Sequence, residues 1–278
     1  MVDLHTHSHC SDGSLTPAQL LRAAEKAGVT AVALCDHNTV AGLPEFMAAA
    51  GTVEAVPGVE FSANYQGKEL HILALFLPGE SWAAVDSRLA QLHREKEASN
   101  RALVAALRCG GYAITYEEVT AMAGGGWINR AHVAQVLTRK GYTGSVQEAF
   151  RTLLNRHGGF YVPPKLPDAL ETIAFIKDQG AVAVLAHPLL SLDAAQLRTF
   201  LPMAGAAGLD AIETMYPLFD EAATQLLRGM ACEFGLLESG GSDFHGDAKP
   251  DIRIGVGRGT LAVPDAVLEQ LRGKRLRK

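Results

Sequence analysis

Short apolar runs alternate with longer amphipathic stretches along most of the chain. The runs cover residues 2–7, 31–35, 53–61, 71–77, 181–186, 209–213 and 236–239. Stretches 16–27, 168–179, 192–206 and 220–234 repeat their apolar residues at helical spacing. Strand followed by helix, repeated, predicts βα units around a mostly parallel sheet. An α/β barrel is the single-domain form that reaches 278 residues. Thr16-Pro17 supplies an N-cap and a first helical residue, and Gly28 a stop.

One region breaks the rhythm. Residues 80–156 contain no convincing strand. Leu89, Leu92, Leu103 and Leu107 keep a helical spacing until Gly110-Gly111, and further helices are predicted over 116–123, 130–139 and 146–155. The expected organisation is a barrel built from 1–79 and 157–278, with a helical insertion over 80–156 that caps its active site. Gly124-Gly125-Gly126 is not followed by the Lys-Ser or Lys-Thr of a phosphate-binding loop, so it reads as a turn. Residues 273–278 read as a solvated basic tail.

Composition narrows the function. The chain is 48% hydrophobic, enough for a large core. Its 25 Lys and Arg against 30 Asp and Glu give a net charge of −5. That balance argues against a broad nucleic-acid or membrane surface, but leaves room for a small phosphorylated ligand. No apolar run approaches the roughly 18 residues of a spanning helix. The first residues lack the basic and apolar regions of a secretory signal. Cys10, Cys35, Cys109 and Cys232 form no CxxC pair, which fits reduced thiols in the cytoplasm. No protein partner is evident.

The chemistry begins at His5 and His7, two apart on a predicted strand and therefore on one face. Asp12 follows in a loop. Other predicted strands run into His37, Glu60, His187, and the pair Asp243 and His245. In a parallel barrel all such ends meet at one face, where the active site lies. His71 opens its run, so only an antiparallel strand would deliver it to that face. These nine imidazoles and carboxylates exceed the four ligands of one zinc and predict two or three metals with a bridging carboxylate. The donors suit Zn²⁺, Mn²⁺ or Fe²⁺. Clusters of this kind make a hydroxide from water and clamp phosphoester oxygens, so the expected nucleophile is a metal-bridging hydroxide. His187 or His245 is a candidate general acid. Arg130, with His132, opens a helix in the insertion and is a candidate grip on phosphate, and Lys165 is another.

The segments VDLHTHSHCSDGSLTP, ALCDHNTV, PGVEFSA, ELHILAL, VLAHP and GGSDFHG resemble, in order, the PHP (polymerase and histidinol phosphatase) family. NRAHVAQVL, GGFYVPP and AHPLL resemble the subgroup that hydrolyses nucleoside 3′,5′-bisphosphates and trims RNA from the 5′ end. The resemblance implies a distorted (β/α)₇ TIM-like barrel and a dinuclear or trinuclear centre, with Mn²⁺ as the expected metal. It implies one metal on His5, His7, Glu60 and Asp243, a second on Asp12, His37 and His245, and a third on His71 and His187 with Glu60 as bridge. It gives Arg130 and His132 the substrate side. The expected substrate is a nucleotide, short RNA ends included. Alternatives are a cyclic-phosphate phosphodiesterase, a histidinol-phosphate-type phosphatase, an amidohydrolase-type C–N hydrolase and a non-catalytic metal-binding module. Asn38, the segment Thr214-Met215-Tyr216-Pro217, and Leu189-Leu190 depart from the family pattern.

Overall fold

The computed structural model describes residues 1–123, 128–155 and 157–275. The expected turn at Gly124-Gly125-Gly126 and the last three residues of the basic tail lie outside the described residues. The chain divides into two compact units, Met1–Ser87 with Pro167–Lys278, and Arg88–Leu166.

The first unit is built on seven strands, β1 (Val2–Thr6), β2 (Ala31–Leu34), β3 (Glu54–Tyr65), β4 (Lys68–Leu75), β5 (Val182–Leu185), β6 (Ala211–Met215) and β7 (Leu237–Gly240). They form one sheet in chain order. Neighbours are parallel except at β4, which runs antiparallel to both β3 and β5. The sheet curls until the chain beyond β7 meets β1. Asp243 N–H donates to His5 O at 2.8 Å, and His7 N–H to Phe244 O at 2.9 Å. The hairpin between β3 and β4 turns on Gln66 and Gly67, with φ of 50° and 81°, the pair of positive values a tight hairpin favours.

Helices flank the strands: α1 (Pro17–Ala27), α2 (Leu43–Ala48), then α3 to α6 described below, α7 (Ala169–Asp178), α8 (Ala194–Ala206), α9 (Glu221–Glu233) and α10 (Asp265–Arg275). Thr16 caps α1 in a reciprocal pair with Gln19, and Gly28 ends it at φ 71°. Asp168, Asp193 and Asp220 cap α7, α8 and α9 through their carboxylates. Val2, Leu4, Ala31, Ala33, Leu73, Val182 and Val184 pack with Val267, Leu268 and Leu271 of α10 in one buried core. That packing corrects the expected tail. Residues 273–275 are helical because Val267, Leu268 and Leu271 bury one stripe of α10.

The second unit is helical. The division falls inside α3 (Trp82–Cys109) and is followed by α4 (Tyr116–Ala123), α5 (Arg130–Arg139) and α6 (Val146–Thr152). Leu103, Leu107, Val119, Val133, Leu137 and Leu154 form its core. Its edges differ from the expected 80–156. Trp82 Nε1 donates to Leu77 O at 3.3 Å and Ser81 Oγ to Gln179 O at 2.9 Å, which ties the start of α3 to the first unit. Phe160 and Tyr161 pack on the helical core, and Ser99 Oγ donates to Val162 O at 2.6 Å, which extends the unit to Leu166. Helix α6 stops short of 155 because Asn155 Oδ1 accepts from the N–H groups of His157 and Gly158 and turns the chain. Among the described residues, no helix is long and apolar enough to cross a membrane.

Candidate metal centre

The strand ends bring all nine expected ligands together. His5 on β1 and His7 just beyond it each place Nε2 at 3.3 Å from Glu60 Oε2. Their spacing of two residues puts both on one side. His37, after β2, places Nδ1 at 2.9 Å from the same oxygen and turns Nε2 toward Asp12 Oδ2 at 3.8 Å. His71 lies opposite Ser62 of β3. The reversed direction of β4 is what delivers a residue near its start to this face. His71 Nδ1 is 2.9 Å from Glu60 Oε1, and His187 Nε2, beyond β5, is 3.1 Å from it. Asp243 Oδ1 lies 3.2 Å from His7 Nε2, and His245 Nε2 lies 3.3 Å from Asp12 Oδ1.

Two glycines permit this convergence. A Cβ on Gly241 would sit 2.4 Å from His5 N, and one on Gly13 would sit 2.5 Å from His7 O. Neither fits without moving the backbone of His5 on β1 or of His7 just beyond it. The backbone is strained at two of the ligands themselves, His187 with φ 29° and Asp243 with φ 54°. Such positions persist only where the surroundings over-determine them, and they cluster at functional sites.

Glu60 is the hub. It is fully buried, with His5, His7 and His37 on Oε2 and His71 and His187 on Oε1. Yet His5 Nε2, both ring nitrogens of His7, His71 Nδ1 and Glu60 Oε2 are buried without a hydrogen bond. They are close but aimed past one another, into shared space. Buried polar atoms are almost always satisfied, so this set fits an absent partner that takes lone pairs. Four groups could each hold a metal ion: His7, Asp12, His37 and His245; His5, His7 and Asp243; His5, Glu60 and His187; His37, Glu60 and His71. The donors are nitrogen and oxygen only. Cys35 is buried, with Sγ turned to Leu4 O.

The electrostatics suit cation binding. Burial alone would push the Glu60 carboxyl up, but the imidazoles of His37, His71 and His5 hold it well below the usual carboxylate range. Asp12 and Asp243 are likewise held low against burial, Asp12 by His37 and His245, and Asp243 by His7 and His245. Burial and its neighbours His245 and His37 keep His7 well below the ordinary histidine value, and so unprotonated. His71 goes the other way. Against burial, Glu60 and Glu69 push it up to about 10.

Several supporting groups escaped the sequence analysis. Glu213 Oε1 lies 2.9 Å from His5 Nδ1, and its Oε2 accepts from His187 N–H at 2.7 Å. It closes an apolar run just as Glu60 does, and that signal could have found it. Tyr216 Oη donates to Asp243 Oδ2 at 2.8 Å, and Lys249 Nζ donates to it at 2.7 Å. Asp36 accepts from Ser8 and Ser11 and braces the loop that carries Asp12. Asn38, one of the departures, accepts from Ser62 N–H through Oδ1 at 2.8 Å and ties β3 to the His37 loop.

The expected substrate-side residues stand in the second unit. Arg130 opens α5 behind the Asn129 cap. Its Nη1 donates to Leu154 O at 3.1 Å, and its guanidinium lies 4.2 Å from the Tyr161 ring centroid. His132 Nδ1 accepts from Asn129 N–H at 3.1 Å and completes the helix cap. Lys165 is exposed, as are His9 and His157.

The PHP domain family model matches residues 3–162. The chain belongs to the PHP family. Among curated relatives of this PHP chain, the 5′-3′ exoribonuclease of Haemophilus influenzae is 34% identical over 87% of this chain and 89% of that protein. The phosphoribosyl 1,2-cyclic phosphate 1,2-diphosphodiesterase of Eggerthella lenta is 30% identical over 88% and 94%. The 3′,5′-nucleoside bisphosphate phosphatase of Chromobacterium violaceum is 29% identical over 88% and 87%. Of solved structures, a Bifidobacterium adolescentis protein inferred to be a metal-dependent phosphoesterase superposes with a TM-score of 0.85 at 27% identity, covering 98% of this chain and 96% of that one. A Chromobacterium violaceum protein described as an amidohydrolase, with bound sulfate and no metal, has a TM-score of 0.85 at 25% identity over the same shares.

Proposed function

We propose that this PHP chain hydrolyses the phosphoester of a small nucleotide, a nucleoside 3′,5′-bisphosphate or a short 5′-phosphorylated RNA end. That it is a hydrolase of phosphoric ester bonds goes with its family. The nucleotide is the finer reading, and the exoribonuclease and bisphosphate phosphatase among its relatives support it. One observation carries the chemistry: the two oxygens of a single buried carboxylate, Glu60, divide five imidazoles between them.

We assign His5, His7, Asp12, His37, Glu60, His71, His187, Asp243 and His245 as ligands of two or three divalent ions, Mn²⁺ first. When bound, such ions acidify a water and supply positive charge to phosphoryl oxygens. The chain's own part is to hold the ligands in place. Glu213 orients His5 and fixes the backbone of His187. The Nδ1 of His245 is engaged with Asp243 O at 2.8 Å, so Nδ1 of His187, the ring nitrogen not turned to Glu60, is the proposed proton donor to the leaving group. Arg130, His132 and Lys165 are proposed for the phosphate, and the second unit for the cap. The curled sheet is read as the distorted (β/α)₇ TIM-like barrel. The four free cysteines support a cytoplasmic place. Glu60 at the bridge, where C–N hydrolases of this type commonly carry a modified lysine, favours the phosphoester over the amide.

A phosphate-release screen on the Mn²⁺-loaded protein tests the reading. The panel holds nucleoside 3′,5′-bisphosphates, short 5′-phosphorylated RNA, cyclic phosphates and histidinol phosphate. The first two should turn over fastest. Turnover confined to a cyclic phosphate or to histidinol phosphate would replace the nucleotide substrate, and amide hydrolysis without phosphate release would overturn the reaction class.

A further inference from the structure

Lys249 lies outside every ligand group described above, yet its ammonium sits on a ligand. Nζ is 2.7 Å from Asp243 Oδ2, while Asp243 Oδ1 faces His7 and His5. A simple account would make the lysine a clamp that orients the carboxylate. The geometry around Asp243 makes that clamp redundant. Tyr216 Oη donates to the same Oδ2 at 2.8 Å from a buried side chain. The backbone of Asp243 is held at both ends, its N–H on His5 O and its carbonyl 2.8 Å from His245 Nδ1. The carboxylate is positioned without Lys249.

The backbone beneath Lys249 is fixed, and its side chain reaches from it to Asp243. Ser14 N–H donates to His245 O at 3.0 Å, and Asp247 N–H to Ser14 Oγ at 2.9 Å. Gly246, at φ 63°, makes a turn that a Cβ would push into Ser14, and Lys249 N–H closes the turn on Gly246 O at 3.0 Å. From this anchored point extends a flexible four-carbon stem whose side chain is 39% exposed. An ammonium has three donors, and the bond to Asp243 uses one. A divalent ion on Oδ1 would compete with the lysine for the charge of that carboxylate and weaken its hold on Nζ.

We propose that Lys249 is a substrate-binding residue that donates to the phosphoryl oxygens of the anion held at the metal centre, with Tyr216 keeping Asp243 in place when the lysine turns away. The proposal rests on the phosphoesterase reading. It adds a cation carried by the same unit as the metal ligands, distinct from Arg130 of the helical unit.

The test titrates inorganic phosphate into Mn²⁺-loaded wild type, Lys249→Met, Lys249→Gln and Lys249→Arg by calorimetry. Metal per chain is counted by mass spectrometry, and KM and kcat are measured on a substrate the wild type hydrolyses. A hydrogen bond to a charged group corresponds to roughly a 10- to 100-fold loss. Lys249→Met and Lys249→Gln should therefore bind phosphate at least about tenfold more weakly and raise KM. Their metal content should equal wild type, and Lys249→Arg should restore most of the affinity. Unchanged phosphate affinity in both neutral variants would overturn the proposal. So would loss of metal in those variants with its return in Lys249→Arg, since the lysine would then serve only to orient Asp243. If wild-type protein releases phosphate from no ester, the phosphoesterase reading fails, whereas the phosphate titration still judges the lysine.

Discussion

The two units treat their polar side chains in opposite ways. Around Glu60, buried ring nitrogens and a carboxylate oxygen lie within contact distance and still make no hydrogen bonds. In the helical unit, the Arg130 guanidinium is already used, bonded to Leu154 O and laid over Tyr161, and His132 caps its own helix. The difference is physical. A side chain whose hydrogen bonds close within the fold explains itself. Buried polar groups left unmade need a ligand, because each carries a desolvation cost that nothing else offsets. The metal centre is therefore marked by what its residues fail to do for one another. Positive charge at a helix start is a weaker signal, because packing also uses it.

The largest test of this contrast is Glu60→Gln. It keeps the shape and removes the shared charge on which five imidazoles converge. Loss of an outer partner alone costs about 10–100-fold in metal affinity or activity. The hub should cost more, and both metal content and phosphate release should fall by over about 100-fold. Glu213→Gln comes next. With the charge behind His5 and His187 gone, metal affinity should drop by about 10–100-fold, measured by competition with a chelating dye.

Proton linkage sharpens the same point. Metal-free His71 holds its proton up to about 10, and a ligand must shed it. Metal affinity should therefore rise with pH below that value, by about tenfold per pH unit for each proton displaced. Calorimetry in two buffers of different ionisation enthalpy counts the protons released. None released near neutral pH would contradict the assignment of His71. The smallest effect on the metal centre is expected at Arg130→Ala, whose proposed phosphate role leaves the ions untouched. Loss of its carbonyl bond and its aromatic contact should destabilise the helical unit by about 1–3 kcal/mol and lower its melting temperature. Metal content should stay unchanged. A wild-type melting curve would show the packing role to be minor.

Much of this was legible in the sequence. Strand runs ending in His, Asp or Glu placed seven of the nine ligand candidates because a parallel sheet gathers such ends, and Asp12 followed in a loop. His71 needed one reversed strand, and β4 provides it. The helices of the insertion were readable from leucine spacing, and the structure adds caps at Asn129 and Ser145. What escaped lacked a local signal. Helix α2 is too short to show a period. The charges of 273–275 masked the buried stripe of α10. Tyr216 and Lys249 reach Asp243 from 27 and 6 residues away, and only the fold brings them together. Asn38 departs from the family pattern, and only the fold shows its amide tying β3 to the His37 loop through Ser62.

The most direct test is anomalous diffraction at the manganese edge from crystals grown with Mn²⁺. Peaks within coordination distance of both Glu60 oxygens, one toward His5 and His7 and another toward His71 or His187, are the predicted result. Full-occupancy protein that releases phosphate with no peak at Glu60 would contradict it.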